Sequence, residues 1–219
     1  WVAPVGLLAL TIGFGTLLPE VSFTTDYGAF LRSLGLPAEQ IDASLAVLEG
    51  LPVPPVIFLV GQGLVAGLTI NAVAALGEEL GWRGLLLREL SPLGFWRLSL
   101  LTGVVWGIWH APLIRQGHNF PDAPVAGVAV MTGWTVAASP LFTYLTVRAG
   151  SVLAATLLHG SFNAVASLSL VYLTGAGTLL VGPVGITGIG AALPATAACV
   201  VHDRYVAATQ LTTGGHLSM

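Results

Sequence analysis

Three short stretches set ionisable or amide side chains inside otherwise apolar sequence. In Leu76–Leu90, Glu78 and Glu79 adjoin and Arg83 follows. A second stretch holds Trp106 and, four residues on, His110; a third holds His159 and, four residues on, Asn163. Only 8% of the chain is charged, and an ionisable group inside an apolar span is costly enough to mark function by default. Glu79 and Arg83 stand at i and i+4 with the acid N-terminal, the better orientation for an intrahelical ion pair. Glu78 points about 100° away on a helix, has no such partner, and is free to serve as a general base. His159 and Asn163 share one helical face, where an imidazole beside an amide can donate hydrogen bonds to a developing oxyanion. His110, from another segment, could orient a water, share its proton or bind a metal.

Such side chains need a scaffold that holds them at depth in a bilayer. The 219 residues are 55% hydrophobic with a mean hydropathy of +0.87, whereas a soluble domain carries roughly a quarter charged residues. The composition is that of an integral membrane protein. Net charge is −3, with seven arginines and no lysine, so no basic face offers itself to nucleic acid. The single cysteine, Cys199, excludes an internal disulfide and a Cys-based metal cluster, and reads as a small buried or lipid-facing residue. The chain begins at Trp1 without a basic leader, so no signal peptide is read, and a further segment upstream stays open.

The pattern of apolar runs and breakers gives an all-α, polytopic helix bundle of about six spans, a single integral-membrane domain over residues 1–219. Val2 to Leu18 is the first span. Residues 20–50 hold Glu20, Asp26, Glu39, Asp42 and Glu49, half of the ten acids. Tyr27, Phe30, Leu31 and Leu34, then Ile41, Leu45 and Leu48, recur there at helical spacing. The spacing predicts short amphipathic helices on the membrane surface, with Pro37 at a first turn and Gly50 as a stop. The second span starts near Val56 and, with no strong breaker before Ser91–Gly94, is expected to run as one helix to Leu90. Phe95, Trp96 and Arg97 read as an interfacial anchor, and the third span reaches Ile114. A fourth runs from Ala123 to Val147 with a possible kink at Pro140, a tight Arg148–Gly150 connection follows, and the fifth covers Ser151–Leu173. A glycine-rich sixth span ends near Val201, leaving 202–219 as a loose polar tail. The catalytic core is expected at about 56–173. Trp82, Trp106 and Trp109 read as packing or interface residues, and His118, His202 and His216 receive no role.

Glu78 lies ten residues from Arg88, His110 thirteen from Arg97, and His159 eleven from Arg148. At about 1.5 Å per residue each sits roughly 15–20 Å from the same end of the bundle. Three spans thus bring their polar groups to one level, a chamber in the bilayer. Arg83, Arg88, Arg97, Arg148 and Arg204 fall on one side of the alternating path, Arg32 and Arg115 on the other. The positive-inside rule then makes the first side cytoplasmic, with residues 20–50 outside and the chamber opening to the cytoplasm.

Glu78-Glu79-Leu80-Gly81-Trp82-Arg83 resembles the EExxxR motif of the CAAX-protease and bacteriocin-processing (CPBP, or Abi) intramembrane proteases. Trp106-Gly107-Ile108-Trp109-His110 is similar to that family's FxxxH, with Trp106 in place of the usual Phe, and His159-Gly160-Ser161-Phe162-Asn163 matches HxxxN. The resemblance covers roughly Val56 to Val171. It implies an all-helical membrane endopeptidase of the type that trims prenylated CAAX proteins in eukaryotes, expected here in a prokaryotic plasma membrane with a peptide or lipidated protein substrate in the lipid bilayer; the identity of that substrate does not carry over. In it Glu78 activates water with help from His110, His159 and Asn163 stabilise the oxyanion, and Glu79 and Arg83 support the site. The family has been described both as metal-dependent and as glutamate-dependent. No HExxH motif is present, yet Glu78, His110 and His159 could form a three-ligand zinc site. The reading here prefers water activated without metal, with zinc as the alternative. Two other classes compete: a non-catalytic membrane partner or bacteriocin self-immunity protein on the same scaffold, and a haem protein with His110 and His159 as axial ligands. The haem reading leaves Glu78, Glu79 and Asn163 without a purpose. A serine protease of rhomboid type lacks a Gly-x-Ser-Gly stretch in a span.

Overall fold

The computed structural model of the chain describes residues 1–213, and it is helical nearly throughout. Helix α1 (Ala3–Gly15) leads to strand β1 (Ser22–Phe23) and the short helices α2 (Tyr27–Ser33) and α3 (Ala38–Glu49). Both short helices match the expectation for residues 20–50. Asp26 caps α2 by accepting from the Ala29 N–H, Pro37 precedes α3, and Gly50 ends it. Strand β1 pairs antiparallel with β2 (Leu173–Thr174) and fastens this segment to the bundle. No alternation in the sequence announces so short a pair.

The core begins with α4 (Pro55–Leu68) and α5 (Ile70–Glu79), continues through a π-helical segment Leu80–Leu86, and closes with α6 (Leu87–Leu90). The single helix expected from Val56 to Leu90 is instead broken at Thr69 and bent by 50°. The reason is tertiary. At the bend α10 (Val152–Val165) comes so close that a Cβ on Gly160 would stand 2.8 Å from both the Gly67 carbonyl oxygen and the Ala72 nitrogen. A straight helix would occupy that space. The Thr69 hydroxyl donates back to the Val65 carbonyl at 2.9 Å, which satisfies one acceptor freed by the break.

Helix α7 (Phe95–Trp109) passes through His110 into the short α8 (Ala111–Ile114), and α9 (Pro124–Ala149) runs back antiparallel to it. Gly107 makes this crossing possible: a Cβ there would meet the Thr132 Cα at 2.5 Å. Small residues at such seams let helix backbones touch where lipid supplies no hydrophobic drive. Pro140 sits within α9 without ending it. Gly150, at φ 59°, takes the left-handed turn into α10, whose first turn Ser151 caps. A 3₁₀ turn and α11 (Ser169–Tyr172) extend α10 to β2, and α12 (Thr178–Val181) and α13 (Ile186–Tyr205) complete the bundle.

Three helices among the described residues are long and apolar enough to cross a bilayer: Pro124–Ala149, Val152–Tyr172 and Thr178–Tyr205. The bent pair beginning at Pro55 makes a fourth if taken as one span. Helices α1 and α7 have 13 and 15 residues, about 20 Å and 22 Å of rise against a hydrocarbon core of about 30 Å. The chain is therefore all-α and of membrane-protein character, with three helices, or four with the bent pair, of spanning length among the described residues.

Two further expectations change. Phe95 is buried against Leu87, Leu98 and Tyr144, so only Trp96 of that pair faces outward. The tail after His202 is not loose over the described residues. Asp203, fully buried, accepts from the backbone N–H of Leu211 and Thr212, from the Thr212 hydroxyl, and from Arg148. The strap runs to residue 213, and His216 lies outside the described residues.

Candidate active site

The bend at Thr69 and the seams at Gly107 and Gly160 carry Glu78, His110, His159 and Asn163 to one cavity of about 360 Å³. Trp106, Trp109, Met131, Trp134, Phe162 and Val184 give it aromatic and aliphatic walls.

The two adjacent acids differ as their spacing foretold. Glu79 is fully buried; both its oxygens accept from Arg83 Nη1, at 3.1 and 3.2 Å. Arg83 lies with its guanidinium carbon 4.6 Å from the ring centres of both Trp106 and Phe142, and its Nη2 donates to Ser139 at 3.3 Å. Cation–π contacts of this kind gain strength when desolvated. Glu78 instead reaches the cavity, half-buried. Its Oε2 accepts from the Trp106 indole N–H at 3.1 Å, while the Trp82 indole N–H, one turn along, stands at 3.5 Å.

The imidazoles are fixed by their Nδ1 atoms. His159 Nδ1 lies 2.8 Å from Glu79 Oε1, and His110 Nδ1 lies 2.8 Å from the Trp106 carbonyl oxygen. A carboxylate or a carbonyl accepts, so both Nδ1 atoms carry hydrogen and each Nε2 is the free position. Glu79 is thus more than a support for Arg83, because it also orients His159. With Nδ1–H committed to Glu79, Nε2 can donate only when it too carries hydrogen, as in the imidazolium. Asn163, exposed one turn further on, brings its amide to the same cavity.

Sequence reading missed four participants. Trp106, read as wall material, contributes a hydrogen bond. Ser139 carries no signal beyond being a hydroxyl beside Pro140. His118 and Asn119, from the loop after α8, also line the cavity; nothing in their spacing points there, because the loop folds back over Phe120, which is fully buried. The zinc alternative needs Glu78, His110 and His159 turned onto one ion. Among the described residues no group of three or more His, Cys, Asp or Glu side chains is arranged to hold a metal as the side chains stand.

The cavity is bounded by His118, Asn119, Pro183 and Val184, at the end of the bundle that carries residues 20–50. Arg88, Arg97, Arg148 and Arg204 stand at the opposite end, where Leu87, Phe95 and Tyr144 pack together and Arg148 meets Asp203. An arginine-rich end in the cytoplasm and a cavity open to the cytoplasm therefore exclude each other.

Residues 60–165 match the model of the Rce1-like family, described as type II CAAX prenyl endopeptidase Rce1-like. CAAX prenyl protease 2 of Methanococcus maripaludis is 41% identical over 49 residues, a stretch covering 22% of this chain and 18% of that relative. The chain thus aligns with less than a fifth of that protein's length. No solved structure matches the chain. The matched residues 60–165 hold all three motifs, and over them the chain is similar to the Rce1-like type II CAAX prenyl endopeptidase family.

Proposed function

We propose that this protein is an intramembrane endopeptidase that hydrolyses a peptide bond of a membrane-associated or lipidated protein, without a metal. One observation carries the reading: a carboxylate, two imidazoles and an amide from three helices line one apolar-walled cavity. Glu79 and Arg83 are held out of it by each other.

Glu78 Oε1, the oxygen not engaged by Trp106, takes a proton from water as the water oxygen bonds to the substrate carbonyl carbon. His110 Nε2 holds that water in place. The carbonyl oxygen becomes the tetrahedral oxyanion, received by His159 Nε2–H and the Asn163 amide. The C–N bond then breaks, and the proton on Glu78 passes to the departing amine, which restores the carboxylate. The aromatic walls accept apolar side chains or a lipid group. The match to this family over residues 60–165 supports the reaction class, and the name of the archaeal relative supports a CAAX-type substrate. With the cavity open to the cytoplasm of a prokaryotic plasma membrane, residues 20–50 are cytoplasmic and the arginine-rich end is not.

The test is cleavage of a membrane-peptide library by purified protein in lipid, wild type against Glu78→Gln, with and without a strong chelator. The expected result is cleavage by the wild type, indifferent to chelator, and none by the variant. Full biological activity from Glu78→Gln would favour the non-catalytic partner or immunity reading instead.

A further inference from the structure

We infer that Trp106 is a positioning residue for the general base: its indole N–H fixes one oxygen of Glu78 and so presents the other to water. The inference rests on the proposed peptidase reading and asks what holds its base in place. Glu78 sits on a helix with a long, rotatable side chain, and a half-buried carboxylate with nothing across from it samples several rotamers. Here the partner comes from another helix. Trp106 Nε1 donates to Glu78 Oε2 at 3.1 Å, a normal hydrogen-bond length. The Trp82 N–H approaches the same oxygen at 3.5 Å, from Glu78's own helical segment, too long to set its direction.

Trp106 is itself held. It is 1% exposed; the Arg83 guanidinium lies 4.6 Å from its ring centre, and Trp134 and Phe142 stand at 5.9 and 5.4 Å. Its backbone carbonyl meanwhile orients His110 at 2.8 Å. One residue thus joins the base, the water-holding imidazole and the Glu79–Arg83 pair. A Phe at this position, as the FxxxH motif has it, would keep the aromatic wall, the carbonyl and the cation–π contact, but could donate nothing to Glu78. In this chain the indole nitrogen adds a constraint on the base that the motif alone does not supply.

The experiment replaces the donor and keeps the shape. Benzothienylalanine incorporated at position 106 exchanges the indole N–H for sulfur, and Trp106→Phe is the genetically simpler companion. In reconstituted protein both should lower kcat about tenfold, the scale of a hydrogen bond to a charged group, with KM unchanged within about twofold. In a Glu78→Asp background, whose carboxylate is withdrawn from reach, the isostere should have no further effect, because coupled residues are not additive. Should Trp106→Phe fail to fold, the isostere carries the test alone. Wild-type kcat from the isostere, with Glu78→Gln inactive, overturns the assignment to Trp106 and leaves the peptidase reading standing. No cleavage by the wild type, or cleavage by Glu78→Gln, overturns both.

Discussion

Two buried ionic clusters stand at opposite ends of this bundle, and they differ in what they leave unsatisfied. At the arginine-rich end, Asp203 accepts from two backbone N–H groups, a hydroxyl and Arg148, and Arg148 also reaches the Thr209 carbonyl. Every Asp203 oxygen is engaged, and the result is a strap pinned to α9. At the other end, Glu79, Arg83 and His159 are similarly tied, yet the network stops short. One oxygen of Glu78 and the Nε2 of both histidines have no partner among the described residues, and all three side chains line a cavity. A cluster whose carboxylate is fully engaged holds the fold, whereas one with unengaged groups lining an apolar-walled cavity is equipped to act on something else.

That contrast is tested first where it should cost most. Arg83→Leu leaves Glu79 buried without its charged partner, and unfolding in detergent should show a loss of about 3–5 kcal/mol; a loss below 1 kcal/mol would mean that the pair is not tied as described. Asn163→Ala should lower kcat about 10²-fold while the melting temperature holds, since the amide faces the cavity. Asp203→Asn should reverse that profile, costing about 1–3 kcal/mol of stability with kcat per folded molecule unchanged. A matching loss of turnover there would dissolve the distinction between the two ends. Ser139→Ala, which removes a single neutral partner of Arg83, should cost only about 0.5–1.5 kcal/mol.

How far the sequence foretold this depends on whether the cause was local. The i, i+4 spacings of Glu79 with Arg83 and His159 with Asn163 are properties of one helix each; in the structure the first pair is hydrogen-bonded and the second lines one cavity. The amphipathic repeats of residues 20–50 were legible for the same reason. The break at Thr69 was not, since threonine is a mild breaker and the bend comes from α10 closing on Gly67 and Ala72. The ties of His159 to Glu79 and Trp106 to Glu78 cross 80 and 28 positions, which no periodicity encodes. The C-terminal strap was missed similarly: Asp203 lies in a stretch that reads as a loose polar tail, whereas Arg148, 55 positions away, and the strap residues Leu211 and Thr212 all bind it. Of the about six expected spans, three helices, or four with the bent pair, have the length and composition to cross a bilayer, because helix breaks are set by packing that apolar runs do not record.

The placement of the cavity bears on orientation as well. Arginine counts put the cytoplasm at the Arg88 and Arg97 end, whereas the cavity is bounded at the end of residues 20–50. Labelling a single cysteine introduced at Asn119 in intact cells, compared with one at Arg97, decides which end is cytoplasmic; reaction of the Asn119 site only after permeabilisation is the outcome expected of a cytoplasmic opening.

The central claim is that Glu78 alone among the clustered acids carries the chemistry. Turnover of a membrane-embedded peptide by Glu78→Gln, measured beside its melting temperature, tests it most directly. The account predicts an unchanged melting temperature and turnover reduced at least 10³-fold, on the scale of losing an essential base. Wild-type turnover from a folded Glu78→Gln protein would contradict it.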